Sequence, residues 1–489
     1  MNVSLRRAAY AMLFGFVILV GAVTYIQVVR GAEYKNDTRN ARVVATRTGR
    51  ERGPIVTQDE VVLAASTPSP IDPKLYVRSY PEGDLYAHTV GYTSVLFGST
   101  GLEAAWSQDL VSDRDATVSG VLNGLLGGDT RPRGLRLTLD HELQRAAEEA
   151  LGDQKGAIVA LDPRTGAILA MVSYPSFDPN TLTGPNAGNA GVALEDDSAE
   201  PLRNRATDET YSPGSVFKVI TTASGLDFGV VSPSSEFADP IELELPDSDA
   251  TISNYNDEVC NDGKSITLAV AFVRSCNTVF AQLGMDIGGD DLGITAESFG
   301  FNRTIPFDLP VLVSFFPGQG SIENNPSATA QSAIGQRDVQ TTPLLMAMSA
   351  AAVANGGNAM VPYLVDDVFT SDGSIEFETE PSIWRRAMSP ATASVLSEMM
   401  EQVVISGTGK KAAVPGVRIA GKTGTAQVTD KSPHAWFIGF GAVGADEDEQ
   451  SIAIAVVVES GGNFGESATG GSVAAPIAQK VLAKFFEKN

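Results

Sequence analysis

A chain of 489 residues, 43% hydrophobic and 19% charged, has room for two or three domains with a full core, and its composition excludes disorder throughout. The net charge of −24 is uneven: residues 1–54 carry nine Lys/Arg and three Asp/Glu, a net of +6, which leaves −30 for the rest and argues against nucleic acid as a partner. Two cysteines are too few for a metal site, and none of the three histidines has the spacing of a Ser-His-Asp triad.

Residues 8–29 form a run of 22 without a charge, flanked by Arg6, Arg7 and Arg30. That is long enough to span a bilayer, and no small-residue cleavage site ends it, so a retained anchor is expected rather than a signal peptide or a buried core helix. Residues 1–7 are then a short tail. Residues 31–52 are polar and basic, suited to a stalk. Arg52-Gly53-Pro54-Ile55-Val56 opens a turn into a strand, and 61–64 continues β-like. Arg78-Ser79-Tyr80-Pro81, Ala87-His88, Gly91-Tyr92 and Gly101-Leu102-Glu103 read as turns between short strands and suggest no catalytic side chain.

Residues 127–134, Gly-Gly-Asp-Thr-Arg-Pro-Arg-Gly, have the composition of a linker, and a domain boundary is placed between 134 and 135. Asp140 caps a helix whose Leu143, Ala146, Ala147 and Ala150 follow helical spacing. The apolar runs 157–161 and 167–172 flank Asp162-Pro163-Arg164-Thr165-Gly166 as a β-hairpin, and 179–200 is expected to be loop.

Tyr211-Ser212-Pro213-Gly214-Ser215-Val216-Phe217-Lys218 follows. Ser212 can cap a helix, Pro213 suits the first helical position, and 216–223 is mostly apolar. Residues three apart on a helix share a face, so the Lys218 amine can reach the Ser215 hydroxyl, roughly 5 Å away along the axis. A hydroxyl needs a neighbour to take its proton. Lysine does so near neutral pH only when burial or other cations lower its pKa, so a second cation is expected nearby. Alone, Ser-x-x-Lys decides nothing, since chance supplies roughly two such patterns in a chain of this length.

After a turn-rich stretch at 228–264, residues 265–284 are helical enough to carry Ser275-Cys276-Asn277. In an exported domain Cys260 and Cys276 would oxidise to a bridge contributing about 3 kcal/mol and pinning that triplet to the preceding loop; the alternative is two unpaired small apolar residues. Ser332-Ala333-Ile334-Gly335-Gln336 precedes a small-residue helix at 344–354, and another helix spans 390–404. A strand at 417–420 ends at Lys422-Thr423-Gly424, strands follow at 434–440 and 452–459 around a solvated acidic turn at 446–449, and a helix at 472–486 carries a stripe of Val473, Ile477, Val481 and Phe485. This implies an antiparallel sheet with helices on it. Residues 416–423 also match the phosphate-loop pattern G-x-x-x-x-G-K-[ST], but strand-like residues where a loop is needed, with no helix opening at the lysine, argue against a nucleotide site.

In order and type, Ser215-x-x-Lys218, Ser275-x-Asn277 and Lys422-Thr423-Gly424 resemble the three motifs of penicillin-binding proteins and serine β-lactamases. From Arg52 onward the chain resembles class B penicillin-binding proteins, nearest their actinobacterial penicillin-binding protein A branch. The resemblance implies an α+β fold: a membrane anchor, an elongated mostly-β pedestal (dimerisation-like) domain at 30–134, and a transpeptidase domain at 135–489 with an antiparallel sheet flanked by helices plus an all-helical subdomain. It implies Ser215 as nucleophile and Lys218 as base, Ser275 for proton relay, and Asn277 holding Lys218 and the substrate amide. Lys422 is then the second cation, Thr423, Gly424 and Thr425 bind substrate, and the N–H groups of Ser215 and Thr425 form the oxyanion hole.

The implied activity is cofactor-free D,D-transpeptidation, cross-linking peptidoglycan stem peptides in growth or division, with β-lactams acylating the same serine. Glycan polymerisation would fall to a separate membrane partner. The domain would lie outside a single-pass membrane anchor, although Arg30, Lys35, Arg39, Arg42 and Arg47 after the segment run against the positive-inside rule; large domains translocate largely regardless of charge. The alternatives are a D,D-carboxypeptidase and a non-catalytic penicillin-binding scaffold or sensor. A β-lactamase needs a further base for its water and has no use for an anchor and pedestal.

Overall fold

The computed structural model describes residues 3–26, 30, 49–69, 73, 75–111, 131–183, 186–318, 320, 322–429, 431–444 and 450–488. Most of the basic stalk, the first half of the 127–134 linker and the whole acidic turn at 446–449 fall outside these residues.

Five strands make the central sheet: β1 (Gly156–Leu161), β2 (Ile168–Tyr174), β3 (Arg418–Val428), β4 (Lys431–Val443) and β5 (Gln450–Val458). They are ordered β3-β4-β5-β1-β2, every neighbour antiparallel. All six residues of β1 are buried, so the sheet is covered on both faces. Side chains alternate across a strand, and the alternation sorts them into two cores. Ile158, Ala160, Ile454, Val456 and Val458 pack with Leu143, Ala147 and Leu151 of helix His141–Leu151 and with Ile477, Val481 and Leu482 of helix Ala475–Lys488. Ala157, Val159, Leu161, Ala453, Ala455 and Val457 join the core containing helix Pro343–Ala354. That helix buries every residue from Pro343 to Val353, which its run of Ala, Ser and Met permits by letting neighbours approach from all sides.

Helices Lys218–Asp227, Leu268–Arg274, Asn277–Ile287, Gly289–Phe299, Pro326–Ala333 and Pro390–Ile405 include those that carry the motif residues beyond the sheet. Several elements differ from expectation outside the site: Ala87–Val90 and Gly101–Ala105, read as turns, are short helices. Within 179–200, Pro179–Leu182 forms a 3₁₀ turn and Ala187–Glu195 a helix; Asp178 starts the turn by accepting from the Asn180 N–H, a local side-chain bond with no periodic signature. The closing helix is preceded by a wide π turn, Gly470–Ala474, capped reciprocally by Thr469 and Ser472.

A second sheet joins the N-terminal part to the rest. Its order is Ile375–Glu378, Val365–Phe369, Gly134–Leu137, Ile55–Val56, Val62–Pro68 and Tyr76–Ser79. Gly134–Leu137 lies centrally, pairing parallel with Ile55–Val56 and antiparallel with Val365–Phe369. Beside this sheet Glu103, fully buried, takes Arg52 at 2.6 Å and Arg78 at 2.5 Å. Burial opposes ionisation of Glu103, but the two guanidiniums hold its pKa below the usual carboxylate value.

At the N-terminus a helix spans Val3–Thr24, with Met12, Leu13, Phe14 and Phe16 among its exposed apolar side chains. Among the described residues no helix is long and apolar enough to cross a membrane.

Candidate active site

Ser215 sits on a 3₁₀ turn, Gly214–Phe217, and Lys218 opens the α-helix that follows. Ser212 does not cap it. Its hydroxyl accepts from Gln340 Nε2 at 3.1 Å and its carbonyl from Trp436 Nε1 at 3.1 Å, so Ser212 is tied to its surroundings rather than to the turn. Gly214 has φ +54°, a region that penalises a Cβ, and its N–H donates to the Gly335 carbonyl at 2.8 Å. Phe217, fully buried, stacks on Phe316 with centroids 5.5 Å apart and fixes the turn from below.

The helical stretch expected at 265–284 is broken in two. Ser265–Thr267 is a strand, Leu268–Arg274 a short helix, Ser275 adopts a left-handed conformation with φ 64° and ψ 38°, and Asn277–Ile287 is a new helix. Two tertiary tethers produce the break. Cys276 is bonded to Cys260, and the Asn254 side-chain oxygen accepts the first N–H groups of the new helix, from Asn277 at 2.9 Å and Thr278 at 3.1 Å. The kink turns the Ser275 carbonyl to the Lys218 Nζ, 2.7 Å away, with Asn277 Oδ1 at 2.8 Å from the same nitrogen.

The expected strand end at Lys422 is also revised. β3 runs through the triplet to Val428, because Lys422, Thr423 and Gly424 pair in register with Ile438, Phe437 and Trp436 of β4. With Arg418 to Thr423 in extended strand and no helix opening at Lys422, residues 416–423 cannot form a phosphate loop. β3 is an edge strand, and its free side faces the nucleophile turn. The approach is close: a Cβ on Gly424 would lie 2.9 Å from the Pro213 carbonyl oxygen, and one on Gly214 would lie 2.8 Å from that of Thr425. Lys422 Nζ donates to Ser275 Oγ at 2.7 Å and to the Thr423 carbonyl at 3.1 Å. The Thr423 hydroxyl shares a 2.6 Å hydrogen bond with that of Thr408.

Ser215, Ser275, Asn277, Thr423 and Thr425 therefore line one groove of about 940 Å³, with Lys218 and Lys422 fully buried behind its wall. Ser215 is half-buried, and among the described residues its hydroxyl has no hydrogen-bond partner. Burial lowers the Lys422 pKa to about 7. Burial first, and then the charge of Lys422, push Lys218 well below the ordinary lysine value. The ammonium groups also lie over aromatic faces, Lys218 over Phe280 at 5.3 Å and Lys422 over Phe272 at 5.7 Å.

Asn254 and Thr408 were missed by sequence reasoning. Asn254 acts on a helix that starts 23 residues later, and Thr408 acts across a gap of 15 residues, so neither has a local pattern. Among the described residues the one cluster of potential metal ligands is Asp239, Cys260 and Cys276. Its sulfurs are bonded to each other, and Asp239 accepts the N–H groups of Cys260, Asn261 and Gly263 at 2.7–3.0 Å.

The penicillin binding protein transpeptidase domain family matches residues 156–483, and the penicillin binding protein A dimerisation domain family matches 52–134. The peptidoglycan D,D-transpeptidase PbpA of Mycolicibacterium smegmatis is 39% identical over 500 residues, 99% of each chain. Its Mycobacterium tuberculosis namesake is 39% identical over 501 residues, 99% of this chain and 98% of that one. Two solved structures of penicillin-binding protein A from M. tuberculosis, both 39% identical, superpose over 89% of this chain. The ceftriaxone acyl-enzyme does so with a TM-score of 0.81 over 98% of its own length, and the penicillin G acyl-enzyme with 0.80 over 100%.

Proposed function

Because the chain belongs to the penicillin-binding protein transpeptidases, we propose that Ser215 is the residue through which it works as a peptidoglycan D,D-transpeptidase. The observation that carries this reading is the convergence of Lys218 and Lys422 on the two ends of Ser275, at its carbonyl and its hydroxyl, in the groove that the half-buried Ser215 also lines. Ser215 Oγ attacks the carbonyl of the penultimate D-alanine of a stem peptide and passes its proton to the neutral Lys218 amine. The N–H groups of Ser215 and Thr425 hold the oxyanion. When the C–N bond breaks, the leaving D-alanine amine takes the Ser275 hydroxyl proton, which Lys422 restores. The amine of a second stem peptide then attacks the ester and gives its proton through Ser275 back to Lys422, while Ser215 departs with the proton held by Lys218 and both lysines return to their starting states. A β-lactam follows the first half of this path, its ring C–N bond opening as Ser215 is acylated.

Asn277 keeps Lys218 in place and presents its amide to the substrate, while Thr423, Gly424 and Thr425 bind the substrate along β3. Residues 8–29 anchor the chain in the cell membrane, with the pedestal at 30–134 and the transpeptidase domain at 135–489 outside. A separate glycan polymerase supplies the strands to be cross-linked. Incubation with benzylpenicillin followed by intact-mass analysis tests the assignment. One penicilloyl adduct is expected on the wild-type chain and none on Ser215→Ala with an unchanged melting temperature; an adduct on the folded variant removes Ser215 from its role.

A further inference from the structure

The substrates of this reaction end in a carboxylate, and so do β-lactams, yet the protein that must capture them carries a net charge of −24. At long range such a body repels an anion. The groove is lined by three charged side chains, Arg274, Lys411 and Glu466. Arg274 closes the helix that precedes Ser275, and Lys411 lies on the short 3₁₀ turn three residues beyond Thr408, whose hydroxyl is bonded to that of Thr423. These two segments pack together: a Cβ on Gly407 would lie 2.5 Å from the Val273 carbonyl oxygen. Both cations are exposed, and among the described residues neither side chain has an ion-pair or hydrogen-bond partner. Glu466 belongs to the Glu459–Ser467 segment, which packs on Ser432 and Pro433 near the far end of β3. Gln427 at that end lies four positions along the strand from Thr423, roughly 13 Å, beyond a Debye length of about 8 Å at physiological ionic strength.

We propose that Arg274 and Lys411, outside the three motifs, form an anion-capturing rim that draws the carboxylate of the donor peptide or β-lactam to the Thr423 end of the groove. The proposal rests on the acylation chemistry assigned above and adds its electrostatic gate. Two cations left unpaired in an excess of acid create a local positive potential at one end of the cleft, which raises the encounter rate of an anion and orients its carboxylate toward the threonine hydroxyls. Neither residue touches the reacting atoms, so they determine capture and not the chemical step.

The test is the second-order rate constant for acylation by benzylpenicillin, a monoanion, at about 0.01 M and about 1 M salt, where the Debye length falls from about 30 Å to about 3 Å. The wild-type rate is expected to fall with salt. Arg274→Gln/Lys411→Gln should be about tenfold slower than wild type at low salt, within about twofold at high salt, and should lose most of its salt dependence. Arg274→Lys should keep the wild-type slope, since charge and not guanidinium geometry is at work. A double variant with the wild-type salt slope, or one equally slow at both salt concentrations, overturns the proposal. Failure of the wild-type chain to be acylated at any salt concentration would instead remove the reading on which it rests.

Discussion

A neutral amine has two N–H donors and one lone pair, and at Lys218 both donors are spoken for by the Ser275 carbonyl and Asn277 Oδ1. Only the lone pair is left, which suits a base and nothing else. The arrangement works only while the amine is unprotonated. Burial together with the Lys422 charge holds Lys218 well below the ordinary lysine value, and burial holds Lys422 near about 7. A lysine with a depressed pKa is neutral above that pKa and gains its proton as pH falls through it. The rate of acylation by benzylpenicillin is therefore expected to decline as pH falls through the depressed pKa of Lys218, and to decline again above about pH 7, where Lys422 loses the proton it returns to Ser275. Lys218→Ala should slow acylation by at least 10²-fold at every pH. Lys422→Ala removes the neighbouring charge, so its residual activity should decline at a higher pH than in wild type. A profile flat from pH 5.5 to 8 would assign the proton to another group.

The break at Ser275 is the element on which this geometry depends, and it is held by its tethers rather than by its own sequence. Asn254→Ala leaves the Asn277 and Thr278 N–H groups without their acceptor, with an expected stability loss of about 1 kcal/mol and an acylation rate at least tenfold lower as Asn277 shifts from Lys218. Reducing the Cys260–Cys276 bond, which closes a loop with a sequence separation of 16, should lower stability by about 3 kcal/mol in chemical denaturation. Unchanged midpoints would show that the loop holds without them. The same element marks where sequence reasoning stops. The residues 157–161 and 167–172 announce their strands because continuous apolar runs around Asp-Pro-Arg-Thr-Gly have few other folds, and 344–354 and 390–404 declare their helices by length and composition. The motif residues were legible as types and order. The left-handed Ser275, the uncapped Ser212 and the continuation of β3 past Lys422 were not, because each follows from a partner distant in sequence: Asn254, Gln340 and β4.

At the scale of the molecule, the residues before and after position 134 share one sheet and one core, since Gly134–Leu137 is hydrogen-bonded to both Ile55–Val56 and Val365–Phe369. Side chains reinforce the seam. Arg136 joins Glu60 at 2.8 Å and also pairs with Asp367. Asp308 does more: one oxygen accepts Trp106 Nε1 at 3.1 Å and the other accepts the N–H groups of Leu364 at 2.6 Å and Val365 at 3.2 Å. One carboxylate thus ties the N-terminal indole to the start of the strand beside Gly134–Leu137. Asp308→Ala strips the acceptor from three donors at once, at a cost of about 3 kcal/mol when the lost bonds and the unpaired N–H groups are taken together. If the seam couples the two parts, wild-type protein unfolds in one denaturant transition. Asp308→Ala should then shift that transition to lower denaturant or split it, the N-terminal part melting first by Trp106 fluorescence while benzylpenicillin acylation of Ser215 persists. A variant whose Trp106 signal and acylation are lost together at the wild-type midpoint would show that the shared sheet alone holds the two parts together.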